Sequence, residues 1–251
     1  MRTATLIVRL PLLFVVALAF LLPGCQSTPP EARSVRPGSS NFEKEIAAFE
    51  ARDRTRPPPQ NGILFIGSSS IRMWTSLEND FPTLPVYNRG FGGSQIIDSV
   101  YYADRIVLPY RPRRIVLYAG GNDINAGKSA EQVFHDFQLF VATVRARLPK
   151  TEITYVSIAP NPSRWSQIDR IREANRLIRQ YTQRTRRLSF VDVHSHMLNE
   201  QGTPKEGIYL PDNLHMNEKG YAIWKQVIGE ALAGERANTP GPRLSEAQRV
   251  R

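Results

Sequence analysis

The stretch LFIGSSSIRMW, residues 64–74, joins an apolar run that ends at a glycine to three consecutive hydroxyl side chains. Runs that are apolar at successive positions are typical of strands covered on both faces, as in a parallel sheet. The serines begin where this strand ends, and in an open parallel sheet the ligand crevice lies beyond the carboxyl ends of the strands. Residues 68–70 are therefore the first candidates for a functional site.

Similar apolar runs recur along the chain and alternate with helical patterns. The strand candidates are residues 63–66, 84–87, 115–119, 153–159 and 188–193. The helical patterns that follow them cover residues 71–78, 94–107, 129–148, 163–186 and 217–233. A repeating strand-helix order with right-handed crossovers predicts an α/β fold, a three-layer doubly wound domain built on a parallel five-stranded sheet. Five strands favour the flavodoxin-like order 2-1-3-4-5.

Residues 1–24 are predicted to be an export signal. Their apolar run, residues 10–22, carries no charge and suits a signal peptide, whose apolar region is roughly 7–15 residues, better than a membrane span of about 18 or more. The segment ends in LPGC, which resembles the lipobox of bacterial lipoproteins. Cys25, the only cysteine, is therefore the predicted lipidation site and membrane anchor; an ordinary cleaved signal with an incidental cysteine is the alternative.

The remaining parts of the chain follow from composition. The two residues after Cys25 are Gln26 and Ser27, and the lack of an aspartate at these positions resembles lipoproteins sorted to the outer membrane. We therefore expect an exported cell-envelope lipoprotein on the periplasmic side of the outer membrane. Residues 25–60 are predicted to be a Pro/Ser/Arg-rich tether ending in a short amphipathic helix, capped by Ser40-Asn41 and ended by the prolines at 57–59. The globular domain is predicted over residues 61–235 and a flexible tail over residues 236–251. The apolar stripe of the short helix is Phe42, Ile46 and Phe49.

The formal net charge is +10, and much of the excess lies between Ser163 and Arg187, where eight arginines accompany two acidic residues. A basic helix face either touches anionic lipid or is simply the solvated side of a packed helix. Export of the protein argues against nucleic acid as its partner. The sequence contains no indication of the oligomeric state.

Four polar stretches accompany the strand ends and the last helix: GSSS at 67–70, NRGFGG at 88–93, GGND at 120–123 and DNLH at 212–215. In the order 2-1-3-4-5 the first strand lies between the second and third, so its serines face the glycine loop on one side and Asn122 on the other. Taken together and in this order, the four stretches resemble the four blocks of the SGNH hydrolases, also called GDSL-type esterases and lipases. The resemblance runs from Gly62 to Ala233.

The resemblance implies a role for each matching residue. Ser69 is the implied nucleophile, with Ser68 where the family usually has aspartate; Ser68 or Ser70 is the alternative, and the hydroxyls also suit a cap for a helix beginning at Ile71. His215 is the implied general base, oriented by Asp212. The implied oxyanion hole consists of the backbone N–H groups of Ser69 and Gly93 and the side-chain amide of Asn122.

These roles imply a serine esterase that hydrolyses short-chain acyl or acetyl esters of lipid or carbohydrate without a metal or organic cofactor. Two other functions stay open. Asp192, His194 and His196 stand at alternate positions of a segment expected to be extended, and such a set suits a metal-dependent hydrolase. The crevice also suits a non-enzymatic envelope lipoprotein that binds glycan or lipid.

Overall fold

The computed structural model describes residues 42–234. The predicted signal peptide, the lipidation site Cys25, the tether, the Ser40-Asn41 cap and the C-terminal tail lie outside the described residues. Lipid anchoring and an envelope location therefore stay predictions. Within residues 42–234 no helix combines the length and apolar character needed to cross a membrane.

A sheet of five parallel strands forms the centre of the domain, in the order β2-β1-β3-β4-β5. The strands are β1 (Ile63–Gly67), β2 (Val86–Gly90), β3 (Arg114–Tyr118), β4 (Glu152–Val156) and β5 (Leu188–Val191). All residues of β1 are buried, as expected for a strand covered on both faces. The predicted α/β class and strand order are confirmed.

Helices cover both faces of this sheet and complete the three layers. They are α1 (Glu43–Thr55), α2 (Ser69–Arg72), α3 (Leu77–Asp80), α4 (Ile96–Tyr101), α5 (Ala103–Ile106), α6 (Gly121–Asn125), α7 (Ala130–Arg147), α8 (Ile168–Arg184), α9 (Val193–His196) and α10 (Glu218–Gly234), with 3-10 helices at Leu108–Tyr110 and Pro162–Gln167. Alternate side chains of β1 enter two separate cores: Leu64 and Ile66 pack on one face, and Ile63 and Phe65 on the other.

Several predicted helices are shorter than the sequence pattern suggests. Residues 71–78 contain parts of two helices, because Trp74 Nε1 and Ser76 Oγ both donate to the Asp80 carboxylate at 2.7 Å and stabilise a turn between α2 and α3. Residues 94–107 likewise divide into α4 and α5. Such side-chain bonds compete with helix continuation, and apolar periodicity does not report them.

Helix α1 packs on the domain through its predicted apolar stripe. Ile46 is fully buried, and Phe42 and Phe49 pack against the same core. Arg105 of α5 adds ion pairs to Glu43 and Glu50, at 2.8 and 2.7 Å. A helix of this length gains most of its stability from tertiary burial, so the apolar stripe in the sequence indicates that α1 packs against the domain.

Glycines let the backbone close tightly around the serine turn. Gly67 has φ +134°, and a Cβ there would lie 1.8 Å from the Tyr118 carbonyl oxygen of β3. At Gly90 a Cβ would lie 2.2 Å from the backbone nitrogen of Arg72 in α2. No side chain fits at either place, so β1 meets β3, and β2 meets α2, backbone to backbone. The serine turn is thereby held over the carboxyl ends of the central strands.

Candidate active site

Ser69 lies at the start of α2, directly after β1. The helix that was expected to begin at Ile71 begins two residues earlier: Ser68 occupies the N-cap and Ser69 is the first helical residue. The Ser68 carbonyl accepts from Ile71 N–H at 3.0 Å and from Arg72 N–H at 3.1 Å, so the chain winds directly into the helix. Ser68 is buried, whereas Ser69 is only partly buried.

Ser69, His215 and Asp212 form a continuous hydrogen-bonded chain. Ser69 Oγ lies 2.9 Å from His215 Nε2, across 146 residues of sequence. His215 Nδ1 lies 2.6 Å from Asp212 Oδ2. An ionised carboxylate only accepts, so the network assigns the imidazole proton to Nδ1 and leaves the Nε2 lone pair for the serine O–H. This is the tautomer that a general base acting on Ser69 needs.

Asp212 is held in its ionised form by several donors. Its Oδ1 accepts from the backbone N–H groups of Leu214 and His215, both at 2.9 Å. The His215 side chain, followed by these N–H groups, lowers the pKa of Asp212 from 3.8 to about 2. A lowered carboxyl pKa means that the stabilisation is present at neutral pH and is lost as pH falls towards about 2. The Asp212 side chain is 47% exposed, so solvent screens much of the effect on folding.

Asn122 lies on α6, which follows β3. Its Nδ2 donates to the Ser94 carbonyl at 3.0 Å, and its Oδ1 accepts from Arg164 Nη2 at 3.0 Å. Because a guanidinium only donates, Arg164 determines which end of the amide is oxygen. The amide nitrogen carries two hydrogens, and the bond to Ser94 uses one. Among residues 42–234 no acceptor is found for the second hydrogen, which leaves it for a bound ligand.

Gly93 follows β2 in the loop that Asn122 contacts through Ser94. It has φ +81°, and a Cβ there would meet nothing within 4 Å, so backbone conformation and not space favours glycine. Among residues 42–234, no hydrogen-bond acceptor is found for the N–H groups of Ser69 and Gly93. Both have the free donor that an oxyanion hole requires.

Ser69, Asn122 and His215 line one cavity of about 30 Å³. This volume is enough for a small group beside Ser69, and the cavity is open to solvent. Arg164 and Tyr209 also line it, and sequence reasoning missed both. Arg164 is one of the eight arginines between Ser163 and Arg187, and the only sequence feature that places it near the site is its position after β4. Tyr209 Oη donates to the Pro160 carbonyl at 2.7 Å, and no sequence motif marks it.

The alternative metal set does not converge. The expectation of an extended segment at residues 192–196 is wrong, because Asp192 caps α9: its carboxylate accepts from Ser195 N–H at 3.1 Å and from Ser195 Oγ at 2.7 Å. His194 is buried, with Nδ1 2.9 Å from the Ile158 carbonyl oxygen. Within residues 42–234, no three His, Cys, Asp or Glu side chains form a group able to hold a metal ion.

Comparisons with known proteins agree with this fold. The solved structure of a GDSL-like lipase from Bacteroides thetaiotaomicron is 19% identical, with a TM-score of 0.66 over 76% of this chain and 98% of that one. A carbohydrate esterase of family 3 from Talaromyces cellulolyticus is 18% identical, with a TM-score of 0.59 over 71% of this chain and 99% of that one. At these identities the likeness establishes the fold alone.

Sequence comparisons establish the family. Maternal effect protein oskar from Drosophila virilis is 26% identical over 136 residues, or 53% of this chain; the chain spans only 22% of that protein. The profile of the GDSL-like Lipase/Acylhydrolase family matches residues 67–223, which include all four polar stretches. The resemblance to SGNH hydrolases is therefore confirmed. The chain belongs to the GDSL-like Lipase/Acylhydrolase family.

Proposed function

We propose that the protein is a serine esterase that hydrolyses carboxylic esters through an acyl-enzyme on Ser69. The observation that carries this proposal is the chain from Ser69 Oγ to His215 Nε2, at 2.9 Å, and from His215 Nδ1 to Asp212 Oδ2, at 2.6 Å. A serine hydroxyl is a weak nucleophile until a base removes its proton. His215 is placed to do so, and it borders the cavity in which an ester carbonyl would lie.

The proposed reaction proceeds in two halves. In the first, Ser69 Oγ attacks the ester carbon while His215 Nε2 takes the hydroxyl proton, and the imidazolium then gives that proton to the departing alcohol. In the second, water attacks the acyl-enzyme, His215 takes a water proton and returns it to Ser69 Oγ, and the carboxylic acid leaves. Asp212 keeps Nδ1 protonated and stabilises the imidazolium at each step.

Negative charge develops on the carbonyl oxygen in both halves, and three donors are proposed to bind it. They are the backbone N–H groups of Ser69 and Gly93 and the second amide hydrogen of Asn122. None of these donors needs to titrate, and the Asn122 amide is already oriented by Ser94 and Arg164. Donors held in place before the reaction lower its barrier because they pay no reorganisation cost.

The space beside Ser69 accommodates a short acyl group, since a volume of about 30 Å³ is enough for an acetyl group. The two structural neighbours described above are a lipase and a carbohydrate esterase. These names support an alcohol portion that is either lipid or carbohydrate, and we propose acetyl and other short-chain esters of such alcohols as the substrates.

A fluorophosphonate probe tests the proposed chemistry. We expect covalent labelling of the peptide that contains residues 68–70, with the phosphorus on Ser69, and the fastest turnover for acetyl in a series of 4-nitrophenyl esters of increasing acyl length. Turnover that a chelator abolishes, in a protein that the probe leaves unlabelled, would favour the metal-dependent hydrolase. Neither turnover nor labelling would favour a binding protein.

Asn122→Ala tests the oxyanion hole. Loss of one oxyanion donor typically lowers kcat by about 10²–10³-fold, and we expect a loss of that size with a smaller change in KM. The matched control is Asn125→Ala on the same helix, since Asn125 is exposed and, among residues 42–234, its side chain hydrogen-bonds only to Gln167, at 3.1 Å. Equal kcat values for the two variants would remove Asn122 from the oxyanion hole. Thermal unfolding verifies that both variants are folded.

A further inference from the structure

Arg164 lies in the wall of the candidate active site. It belongs to the 3-10 helix Pro162–Gln167, whose first turn is capped by Asn161: Asn161 Oδ1 accepts from Arg164 N–H at 2.9 Å. Its guanidinium donates to Asn122 Oδ1 and lies over the start of α6, where Nη1 would be 3.4 Å from a Cβ at Gly121. The side chain is partly buried and lines the same cavity as Ser69 and His215.

Arg164 is partly buried and, among residues 42–234, has no acidic partner, whereas the other arginines of the segment 163–187 either form ion pairs or are exposed. Arg172, Arg176 and Arg179 on α8 form ion pairs with Asp169, Glu173 and Asp192. Among the residues described by the structure, no carboxylate forms an ion pair with Arg164. Burial lowers the pKa of this guanidinium, but an arginine stays charged at neutral pH. An unpaired, partly desolvated cation costs folding free energy, and a site that binds an anion recovers that cost.

The donors of Arg164 are mostly unused. A guanidinium has five N–H donors in one plane, and within residues 42–234 the only side-chain acceptor found for Arg164 is Asn122 Oδ1. The planar arrangement matches the two oxygens of a carboxylate or phosphate. Arg164 binds the oxygen of the same amide whose nitrogen is the proposed oxyanion donor, and it lines the same cavity as Ser69, so a group that Arg164 binds lies close to the reacting ester.

We propose that Arg164 is a specificity-determining residue that binds a carboxylate or phosphate on the alcohol portion of the ester. This inference rests on the proposed function and narrows its substrate class to short-chain acyl esters of anionic alcohols. We assign the anionic group to the alcohol because the acyl portion of the proposed substrates is an acetyl or other short-chain group. By binding Asn122 Oδ1 as well, Arg164 is also a positioning residue for the oxyanion donor.

Two pairs of acetyl esters test the inference. O-acetylglycolate and O-acetylglycolamide have nearly the same size and differ in charge, and 2-acetoxyethyl phosphate and 2-acetoxyethanol extend the comparison to phosphate. Hydrogen bonds to charged groups are worth enough to raise kcat/KM by about tenfold or more. We therefore expect wild-type protein to prefer the anionic member of at least one pair by about tenfold, mainly through a lower KM. The preferred pair identifies the carboxylate or the phosphate.

Arg164→Gln separates charge recognition from positioning, because glutamine keeps a neutral donor for Asn122. We expect the preference for the anionic ester to disappear, together with a smaller loss of kcat on both esters, and Arg164→Lys to restore part of the preference. Arg172→Gln, a surface control from the same arginine-rich segment, should keep the wild-type preference. Thermal unfolding of each variant provides the check on folding.

The outcomes distinguish this inference from the proposed function. Wild-type protein that hydrolyses both members of each pair at equal kcat/KM overturns the inference and leaves the serine esterase intact. A preference that survives Arg164→Gln also overturns it. Wild-type protein that hydrolyses no ester and takes no fluorophosphonate label overturns the proposed function itself.

Discussion

Ser69→Ala is expected to lower kcat by about 10⁶-fold, the loss seen when the nucleophile of such a triad is removed. The substitution deletes the oxygen that lies 2.9 Å from His215 Nε2, and no other hydroxyl is found within hydrogen-bond distance of that nitrogen among residues 42–234. The methyl group occupies less space than the hydroxymethyl group and leaves the backbone of α2 unchanged. Steady-state hydrolysis of an acetyl ester measures the loss, and urea unfolding should show a nearly unchanged midpoint.

The two neighbouring serines supply matched controls for this experiment. Ser68 occupies the N-cap of α2 without a side-chain capping bond, and the Ser70 carbonyl accepts from Tyr221 Oη at 2.8 Å through its backbone, which substitution preserves. Ser68→Ala and Ser70→Ala should therefore retain fluorophosphonate labelling and most of kcat. If either control loses activity as fully as Ser69→Ala while remaining folded, the nucleophile has been assigned to the wrong serine.

Asp212→Asn is expected to lower kcat/KM by about 10⁴-fold at neutral pH. An asparagine amide can donate to Nδ1, which favours the imidazole tautomer with its proton on Nε2 and removes the acceptor for the Ser69 O–H. The asparagine oxygen can still accept from the backbone N–H groups of Leu214 and His215, so the loop should keep its shape. Asp212→Ala removes those bonds too and is the less informative variant.

A surface carboxylate provides the control for the change in charge. Asp169→Asn alters a side chain that is 96% exposed and should leave kcat/KM within about twofold of the wild-type value, as surface substitutions usually do. If Asp212→Asn is equally neutral, the active site is a Ser69-His215 dyad in which the backbone orients the imidazole. The fluorophosphonate labelling rate gives a second measure of His215 function in both variants.

The fold was largely predictable because its signals are local. Apolar runs at successive positions, such as residues 63–66, report strands buried on both faces, and five of them in alternation with helices restrict the topology to a doubly wound sheet. Helix boundaries were less predictable. The split between α2 and α3 depends on hydrogen bonds to Asp80, and α9 depends on a cap supplied by Asp192; neither changes the apolar periodicity.

The candidate site shows the same division between local and long-range information. Polar residues at the strand ends indicated where a site would lie, and the resemblance of the four polar stretches to SGNH hydrolases implied Ser69, Gly93, Asn122, Asp212 and His215. The hydrogen bonds between these residues could not be predicted from the sequence, because Ser69 and His215 are 146 residues apart. The doubly wound sheet brings them together because its parallel strands end at one edge.

The chain's own residue pattern thus determined the layer architecture, the strand order and the family, all of which follow from short-range periodicity and motif order. The partner of the Asn122 amide, the size of the cavity and the unpaired charge of Arg164 depend on tertiary structure alone. Arg164 lies 42 residues from Asn122 in sequence, in a segment whose other arginines either form ion pairs or are exposed. Packing of the 3-10 helix against α6 directs this one arginine inward, and a contact between distant segments leaves no signature in either segment by itself.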